Sequence, residues 1–287
     1  MDPPLQHDSS VSLVDPPIAT NHEWRSCGIT YHSSNGMLLL IYPNDTIILW
    51  NPAIRESRKI RCPVLRPQFP GIYNFCYFPS IDGYKIFRLG RKSDSDYDKE
   101  VHVFSTKDNS WKSIGRFPPN YLFAGDVVIS HGIVYILARK DLINGRSDII
   151  IVRFCLEKEQ FQEELLCPYP FDWTDSTTHL FALEENLSLT DCDRMQNYEV
   201  WHYMKTNGLS YSWSKIFAIK LTWVPSLLIP VSFMKDGDML FLRKDSEFVV
   251  YNSRIHKFEE VNVAGIEKRL YFRRVVTYVE TLFSPNS

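Results

Sequence analysis

The sequence predicts an all-β chain folded as a β-propeller of four-stranded antiparallel blades, and three observations predict it. A strand phrase ending in an aromatic residue recurs along the chain. A tight-turn dipeptide recurs with the same step. No amphipathic helical pattern falls between the strands.

The strand phrase appears first as "IILWNPAIRESRKI" at 47–60 and returns as "VHVFSTKDNSWKSI" at 101–114, "IVRFCLEKEQFQEE" at 151–164 and "FVVYNSRIHKFEEV" at 248–261. In the last three, a second aromatic follows seven positions after the first: Phe104/Trp111, Phe154/Phe161 and Tyr251/Phe258. The first copy has Ser57 in that place. A further copy at 200–219, "VWHYMKTNGLSYSWSKIFAI", stretches the interval to 12, from Trp201 to Trp213. The leading aromatics stand at 50, 104, 154, 201 and 251, in steps of 54, 50, 47 and 50. Asn51-Pro52 in the first copy is a turn signal, and the basic residues after it read as a solvated hairpin and outer strand.

The turn signal is Asn35-Gly36, Asp82-Gly83, His131-Gly132, Glu185-Asn186 and Asp236-Gly237, each before an apolar strand. Gly and Asn tolerate the positive φ that tight hairpins need. Between turns lie four short strands, as in "GYKIFRL", "EVHVFS", "SWKSI" and "AGDVVIS". Such a unit cannot cover both its faces alone, so neighbours must bury them. Five repeats are visible from Gly36 to about Phe283. Residues 25–34 read as the fourth strand of an earlier unit, so the chain is expected to enter mid-blade. "RRVVTYVETLF" at 273–283 takes the fourth-strand place of unit five. Five blades with an extra N-terminal strand, or an incomplete six, both stay open. The expected domains are a disordered tail at 1–24, the propeller at 25–283 and a tail at 284–287.

Composition narrows function. Hydrophobic residues at 44% and aromatics at 14% permit a sizeable core. The 32 basic and 34 acidic side chains leave a net charge of −2, which excludes a global field toward nucleic acid or anionic lipid. The cysteines at 27, 62, 76, 155, 167 and 192 form no C-x-x-C pair and read as buried small hydrophobes. Residues 1–24 show no secretory signal pattern, and the apolar stretch 221–234 is short and broken by two prolines. A cytoplasmic or nuclear location is expected, with no membrane partner. The sequence holds no phosphate-binding glycine motif, no H-E-x-x-H and no G-x-S-x-G. Asp172, Asp175, Asp191 and Asp193 read as solvated loop acids. No catalytic residue, metal ligand or cofactor is expected, and the chain is not read as an enzyme.

Antiparallel alternation sorts the connections onto two faces. The tight turns and seven-residue hairpins share one. The irregular loops 62–72, 90–99, 116–123, 139–148, 168–178 and 190–197 share the other. Those loops carry Phe69, Tyr97, Phe117, Tyr121, Arg139, Phe171 and Trp173. Aromatic and Arg side chains dominate interface hot spots, and loops on a rigid frame are where binding is usually placed. These seven residues are the candidate partner-binding face, with a target protein as the expected partner.

The phrases "ILWNPAIRESRKI", "CYFPSIDGYKIFRL", "VHVFSTKDNSWKSI" and "VVTYVETLFSPN", in this order, resemble the F-box-associated domain of plant F-box proteins, over nearly all of the chain after residue 25. The resemblance implies a kelch-like propeller that holds the target of an SCF-type ubiquitin ligase and is itself not catalytic. It also implies a Skp1-like adaptor, bound in that family by an N-terminal F-box. The alternative is a stand-alone propeller or truncated remnant not coupled to ubiquitination. Residues 1–24 are rich in Pro, Asp and Ser and show no apolar helical periodicity for an adaptor to dock on. The chain as given is therefore expected not to bind the adaptor. A pull-down with purified Skp1-like protein checks this, and stoichiometric capture would place a docking element in residues 1–24.

Overall fold

The computed structural model describes residues 30–42, 46–62, 71–91, 98–141, 147–169, 178–193, 195–206, 210–221, 228–234, 237–243, 247–261 and 278–286. Strands dominate them. The helical content among the described residues is one 3₁₀ turn, Pro79–Ile81. None of their helices is long and apolar enough to cross a membrane.

Five antiparallel sheets follow one another along the chain as five propeller blades. Blade one holds β1 (Thr30–Ser34), β2 (Met37–Ile41), β3 (Ile47–Asn51) and β4 (Glu56–Ile60). Blade two holds β5 (Ile72–Phe78), β6 (Gly83–Arg91), β7 (Lys99–Ser105) and β8 (Ser110–Arg116). Blade three holds β9 (Tyr121–Ser130), β10 (Ile133–Asp141) and β11 (Ser147–Cys155), with β12 (Gln160–Phe161) and β13 (Leu165–Leu166) sharing its outer place. Blade four holds β14 (His179–Leu183), β15 (Asn186–Cys192), β16 (Asn197–Thr206) and β17 (Ser210–Lys220). Blade five holds β18 (Leu228–Phe233), β19 (Met239–Arg243), β20 (Glu247–Asn252) and β21 (Lys257–Val261). The first strands of successive blades touch, β1 to β5, β5 to β9, β9 to β14 and β14 to β18, which puts them innermost. The last strands are the most exposed, as in β4 and β21.

This frame corrects the sequence reading. The strand taken as the fourth of each unit is the first of the next sheet. "IYNFCYF" pairs across the Asp82 turn with "GYKIFRLG", so the tight turn lies inside a blade and not between blades. The first described strand, β1, is therefore the inner strand of a complete blade one and not the fourth strand of an earlier unit. The described sheets number five, each with four strand positions. A second correction concerns blade four. Trp213 lies opposite Tyr203, and Trp201 lies opposite Lys215, because the hairpin there is longer by several residues. A third moves the blade-four turn back one residue, to Glu184 and Glu185, both at positive φ.

The local geometry follows from the turn chemistry. Asn35 and Gly36, at φ 42° and 76°, and His131 and Gly132, at φ 47° and 76°, carry the positive φ of two-residue hairpin turns. In the longer hairpins the residue before the outer strand is also left-handed: Arg55, Asn109, Glu159 and His256. Those four-residue turns set the seven-residue spacing and bring Phe104 opposite Trp111, Phe154 opposite Phe161 and Tyr251 opposite Phe258. The paired ring centroids lie 5.1 to 5.4 Å apart, in the range where tilted aromatic pairs attract.

The cores lie between blades. Leu39 and Leu49 of blade one meet Phe75, Ile86 and Phe104 of blade two. Phe87 and Val103, on the other face of blade two, meet Val134, Ile136 and Phe154 of blade three. Leu137 and Ile151 meet Leu187 and Leu189. Val200 meets Phe241, Val249 and Tyr251. Each leading aromatic from Phe104 onward faces the blade before its own. Trp50 occupies the matching position in blade one, 6% exposed against Leu40 and Ile48.

The segment 278–286 lies across the hairpin side of blades one and two. The Asn51 side chain donates to the carbonyls of Thr281 (2.9 Å) and Phe283 (2.8 Å) and accepts from the Tyr278 hydroxyl (3.2 Å). Arg58 donates to the Pro285 carbonyl, and the Ser284 hydroxyl donates to Glu56. Phe283 sets its ring edge against Tyr77 and Tyr84. Gly36 is doubly required, since a Cβ there would stand 2.0 Å from Thr281 Cγ2. Residues 284–286 thus contact blade one, and part of the basic run after Asn51 serves this contact.

Two outcomes follow. Phe154→Ala empties a fully buried site between blades two and three and should cost about 3–5 kcal/mol in urea unfolding, while Lys107→Ala, on an exposed turn, should stay within about 0.5 kcal/mol. Blades three and four share an inner-strand contact in which Asp126 receives the Leu180 N–H and faces His179 Nδ1, both at 3.1 Å. The Asp126 hydrogen bond raises the His179 pKa above its ordinary value. The contribution is complete below the unfolded histidine pKa of about 6.5 and is lost as pH rises through the higher folded value. The stability gap between the natural protein and His179→Ala should therefore shrink as pH rises from about 6.5 through the higher folded value, as read by urea midpoints. A constant gap would mean that the charge contributes nothing.

Candidate partner-binding face

Strand direction alternates through each sheet, so the β2–β3, β6–β7, β10–β11 and β15–β16 loops emerge on one side. The connections from an outer strand to the next inner strand emerge on that side too. The opposite side carries the tight turns and the four-residue hairpins. The corrected blade frame leaves this division unchanged, because moving the blade boundary by one strand does not reverse any strand.

Of the seven residues expected on the irregular face, Phe69, Tyr97, Phe171 and Trp173 lie outside the described residues. Phe117, Tyr121 and Arg139 lie within them. Phe117 is 2% exposed, edge-on to Tyr121 and Phe161 in the core between blades two and three. Its expected contact with a partner is corrected: the Phe117 N–H bonds the Lys99 carbonyl, which turns the ring inward under the loop.

Tyr121 opens β9 beside it and is half-buried. Its hydroxyl donates to Glu164 Oε2 at 2.7 Å, and Lys140 Nζ reaches both Glu164 oxygens at 2.9 and 3.0 Å. Lys140 also stands 5.8 Å above the Tyr121 ring. The Tyr121 and Lys140 hydrogen bonds hold the Glu164 carboxyl below its usual range. The same bond raises the Tyr121 phenol, which stays neutral. A network that fixes one ring at the rim of the face limits the ordering cost of a contact made there.

Arg139 follows on the other side of β10. Its Nε lies 3.0 Å from Asp141 Oδ1, and the Ser147 hydroxyl donates to the same oxygen at 2.7 Å. Bonding to Ser147, with Arg139 beside it, lowers the Asp141 pKa. Arg139 and Lys140 are sequence neighbours on a strand, so they serve opposite faces of blade three.

Blade four adds a feature that the sequence reading missed. A cavity of about 470 Å³ opens at this end of β15, β16 and β17, lined in part by Tyr169, Asp191, Asp193, Glu199 and Lys220. Asp191, expected on a solvated loop, is a buried residue of β15, 3% exposed. It accepts from the Tyr169 hydroxyl at 3.0 Å and the Thr178 hydroxyl at 3.0 Å. Burial, and then Asp191, push the Tyr169 phenol far up, so it donates and does not ionise. The alternation "LSLTDC" held the signal for a buried position at Asp191. Burial also raises two nearby thiols, Cys167 to about 12 and Cys192 to about 11, which keeps both protonated and poor nucleophiles. The arrangement offers hydrogen-bond acceptors and aromatic edges to a bound group.

The profile of the F-box associated beta propeller domain matches residues 4–284. Among curated proteins of Arabidopsis thaliana, the chain is similar to F-box protein At3g08750, 29% identical over 64% of this chain and 49% of that protein. It is similar to F-box/WD-40 repeat-containing protein 1, 28% identical over 68% of this chain and 50% of that protein. It is also similar to F-box/kelch-repeat protein At3g23880, 26% identical over 85% and 65% respectively. The chain spans about half the length of the first two relatives. Among solved structures, the β-propeller domain of the Trilobed protease from Pyrococcus furiosus aligns with a TM-score of 0.46 at 12% identity, over 82% of this chain and 70% of that one.

Proposed function

The chain belongs to the F-box associated β-propeller family, and from that premise we propose that it is the target-recognition part of an SCF-type ubiquitin ligase. The irregular-loop face receives a target protein. The propeller holds that target and leaves ubiquitin transfer to other subunits, so its contribution to the reaction is proximity. The observation that carries this reading is the family match over residues 4–284, and the aromatic and Arg residues that the irregular loops carry in the sequence support it.

The working surface is proposed to comprise Tyr121, Arg139 and the loop residues Phe69, Tyr97, Phe171 and Trp173. Phe117 supports it from beneath. Tyr121 and Arg139 are each held by a local carboxylate network, which favours a preformed contact. A compartment with cytosolic or nuclear ubiquitin machinery is part of the same proposal.

Trp173→Ala and Tyr121→Ala should each weaken target capture by about 2 kcal/mol, roughly thirtyfold in affinity, at a true hot spot. Lys107→Ala and Lys257→Ala, on the hairpin side, should leave capture unchanged. The measurement is affinity for a target found by proximity labelling in plant cells, with circular dichroism to verify folding. Equal sensitivity of both sides, or loss confined to the hairpin variants, would remove the loop face as the site.

A further inference from the structure

Blades two and four are tied to the blade before them in the same way. Trp111 donates its indole N–H to the Arg61 carbonyl, just after β4, at 2.8 Å. Trp213 donates its own to the Leu166 carbonyl of β13 at 2.9 Å. Each Trp lies opposite a ring, Phe104 in one case and Tyr203 in the other. In blade two a single residue pair, Ser105 with Ser110, follows before the turn. In blade four three pairs follow: Met204 with Ser212, Lys205 with Tyr211 and Thr206 with Ser210. The blade-four hairpin thus projects farther on the hairpin side, and Lys205 and Tyr211 have no counterpart in blade two.

The added pair stands at the mouth of the gap between blades three and four. Tyr211 stacks on Tyr203 at 5.4 Å and 26°, and Tyr203 lies 5.3 Å from Trp213. Tyr211 is 51% exposed, and Leu166, whose carbonyl holds Trp213, is 65% exposed. Rings and an aliphatic side chain thus form one continuous surface. On the blade-three side of the gap stand Tyr135 and Arg153, cross-strand partners on β10 and β11. Burial pushes the Tyr135 phenol up to about 12, and Arg153, Tyr203 and Tyr211 are the groups near enough to act on it as well.

The charge at this mouth has one sign. Lys205 stands 5.8 Å over the Tyr211 ring. Arg153 donates its Nε to the Glu163 backbone carbonyl at 2.7 Å. Among the described residues, neither cation pairs with a carboxylate. Other cations of the same two blades do: Lys140 with Glu164 at 2.9 Å and Lys215 with Glu199 at 2.7 Å.

We propose that this patch, on the hairpin side between blades three and four, docks an acidic segment of a partner protein that carries an apolar anchor residue. The anchor lies on Tyr211, Trp213 and Leu166, and the contact removes exposed ring and aliphatic surface from water. Carboxylates beside the anchor meet Lys205 and Arg153, the two cations that the blades leave without an acid of their own. A second copy of this chain suits the patch less, because a two-fold contact would set these cations against the same cations. The patch shares no residue with the loop face, so this site and the proposed target face succeed or fail separately.

The test uses the full chain and a fluorescein-labelled probe peptide, Gly-Asp-Glu-Phe-Leu-Asp-Glu-Gly, followed by fluorescence anisotropy. Saturation with a Kd below about 1 mM is expected in about 50 mM salt. Asn and Gln in place of Asp and Glu, or Ser in place of Phe and Leu, should each weaken binding at least about tenfold. Lys205→Glu and Tyr211→Ser should each do the same, about tenfold or more, with an unchanged melting temperature. If Tyr211→Ser disturbs folding, Leu166→Ser takes its place beside Lys205→Glu. Lys257→Glu makes the same charge change at the exposed start of β21 and should leave binding within about twofold. No saturation by about 1 mM, indifference to the peptide changes or to the Lys205 and Tyr211 variants, or equal loss with Lys257→Glu would each overturn the proposal. In sedimentation velocity the chain alone should run as a monomer. A dimer that Tyr211→Ser disperses would give the patch to a second copy and overturn the proposal too.

Discussion

The constraint on which this structure depends is that no blade can bury its own two faces. A single four-stranded sheet of this size has apolar side chains on both sides and no second layer within its own sequence. On β6, Ile86 points to blade one and Phe87 to blade three, and both are fully buried. The clusters that join neighbouring blades draw residues from both. Local turns and ladders arrange the strands, but each blade is stable only through its neighbours. Removal of one ring, such as Phe154, is therefore felt in two blades at once.

The period of the fold was legible because hairpin chemistry is local. Four-residue turns ending in a left-handed residue impose a fixed distance between paired rings, and that distance appears in the sequence as a seven-residue spacing. The blade boundary was not legible in the same way. Each strand is flanked by one tight turn and one longer connection, and both sides of "IYNFCYF" read as antiparallel continuations. Only the hydrogen bonding to β6 assigns it. The register of blade four was missed because its hairpin grew beyond the local rule, so the partner of Trp213 moved from Trp201 to Tyr203.

The candidate site was legible at the level of a face and less so at the level of residues. Strand alternation fixes which loops share a side, and that inference survives an error of frame. Whether a loop aromatic points out or in depends on a single backbone contact. Phe117 and Tyr121 stand four residues apart with similar composition around them. The Lys99 carbonyl draws the first inward, and Glu164 holds the second at the rim. Asp191 shows the converse, since an acidic residue among polar neighbours reads as solvated until Tyr169 and Thr178 are seen to satisfy it. None of these partners is close in sequence.

The contact of Asn51 with Thr281 and Phe283 joins residues separated by 230 and 232 positions. At a synthesis rate of about 5–20 residues per second, the Asn51 amide emerges roughly ten to fifty seconds before its acceptors exist. Throughout that interval, the Tyr77 and Tyr84 rings lack their Phe283 cover. A chain that lacks Phe283 presents this aromatic ground uncovered, while a chain that carries it hides the Tyr77 and Tyr84 rings beneath it. The seam on blade one thus makes a chain carrying Thr281 and Phe283 distinguishable by its surface from one that lacks them.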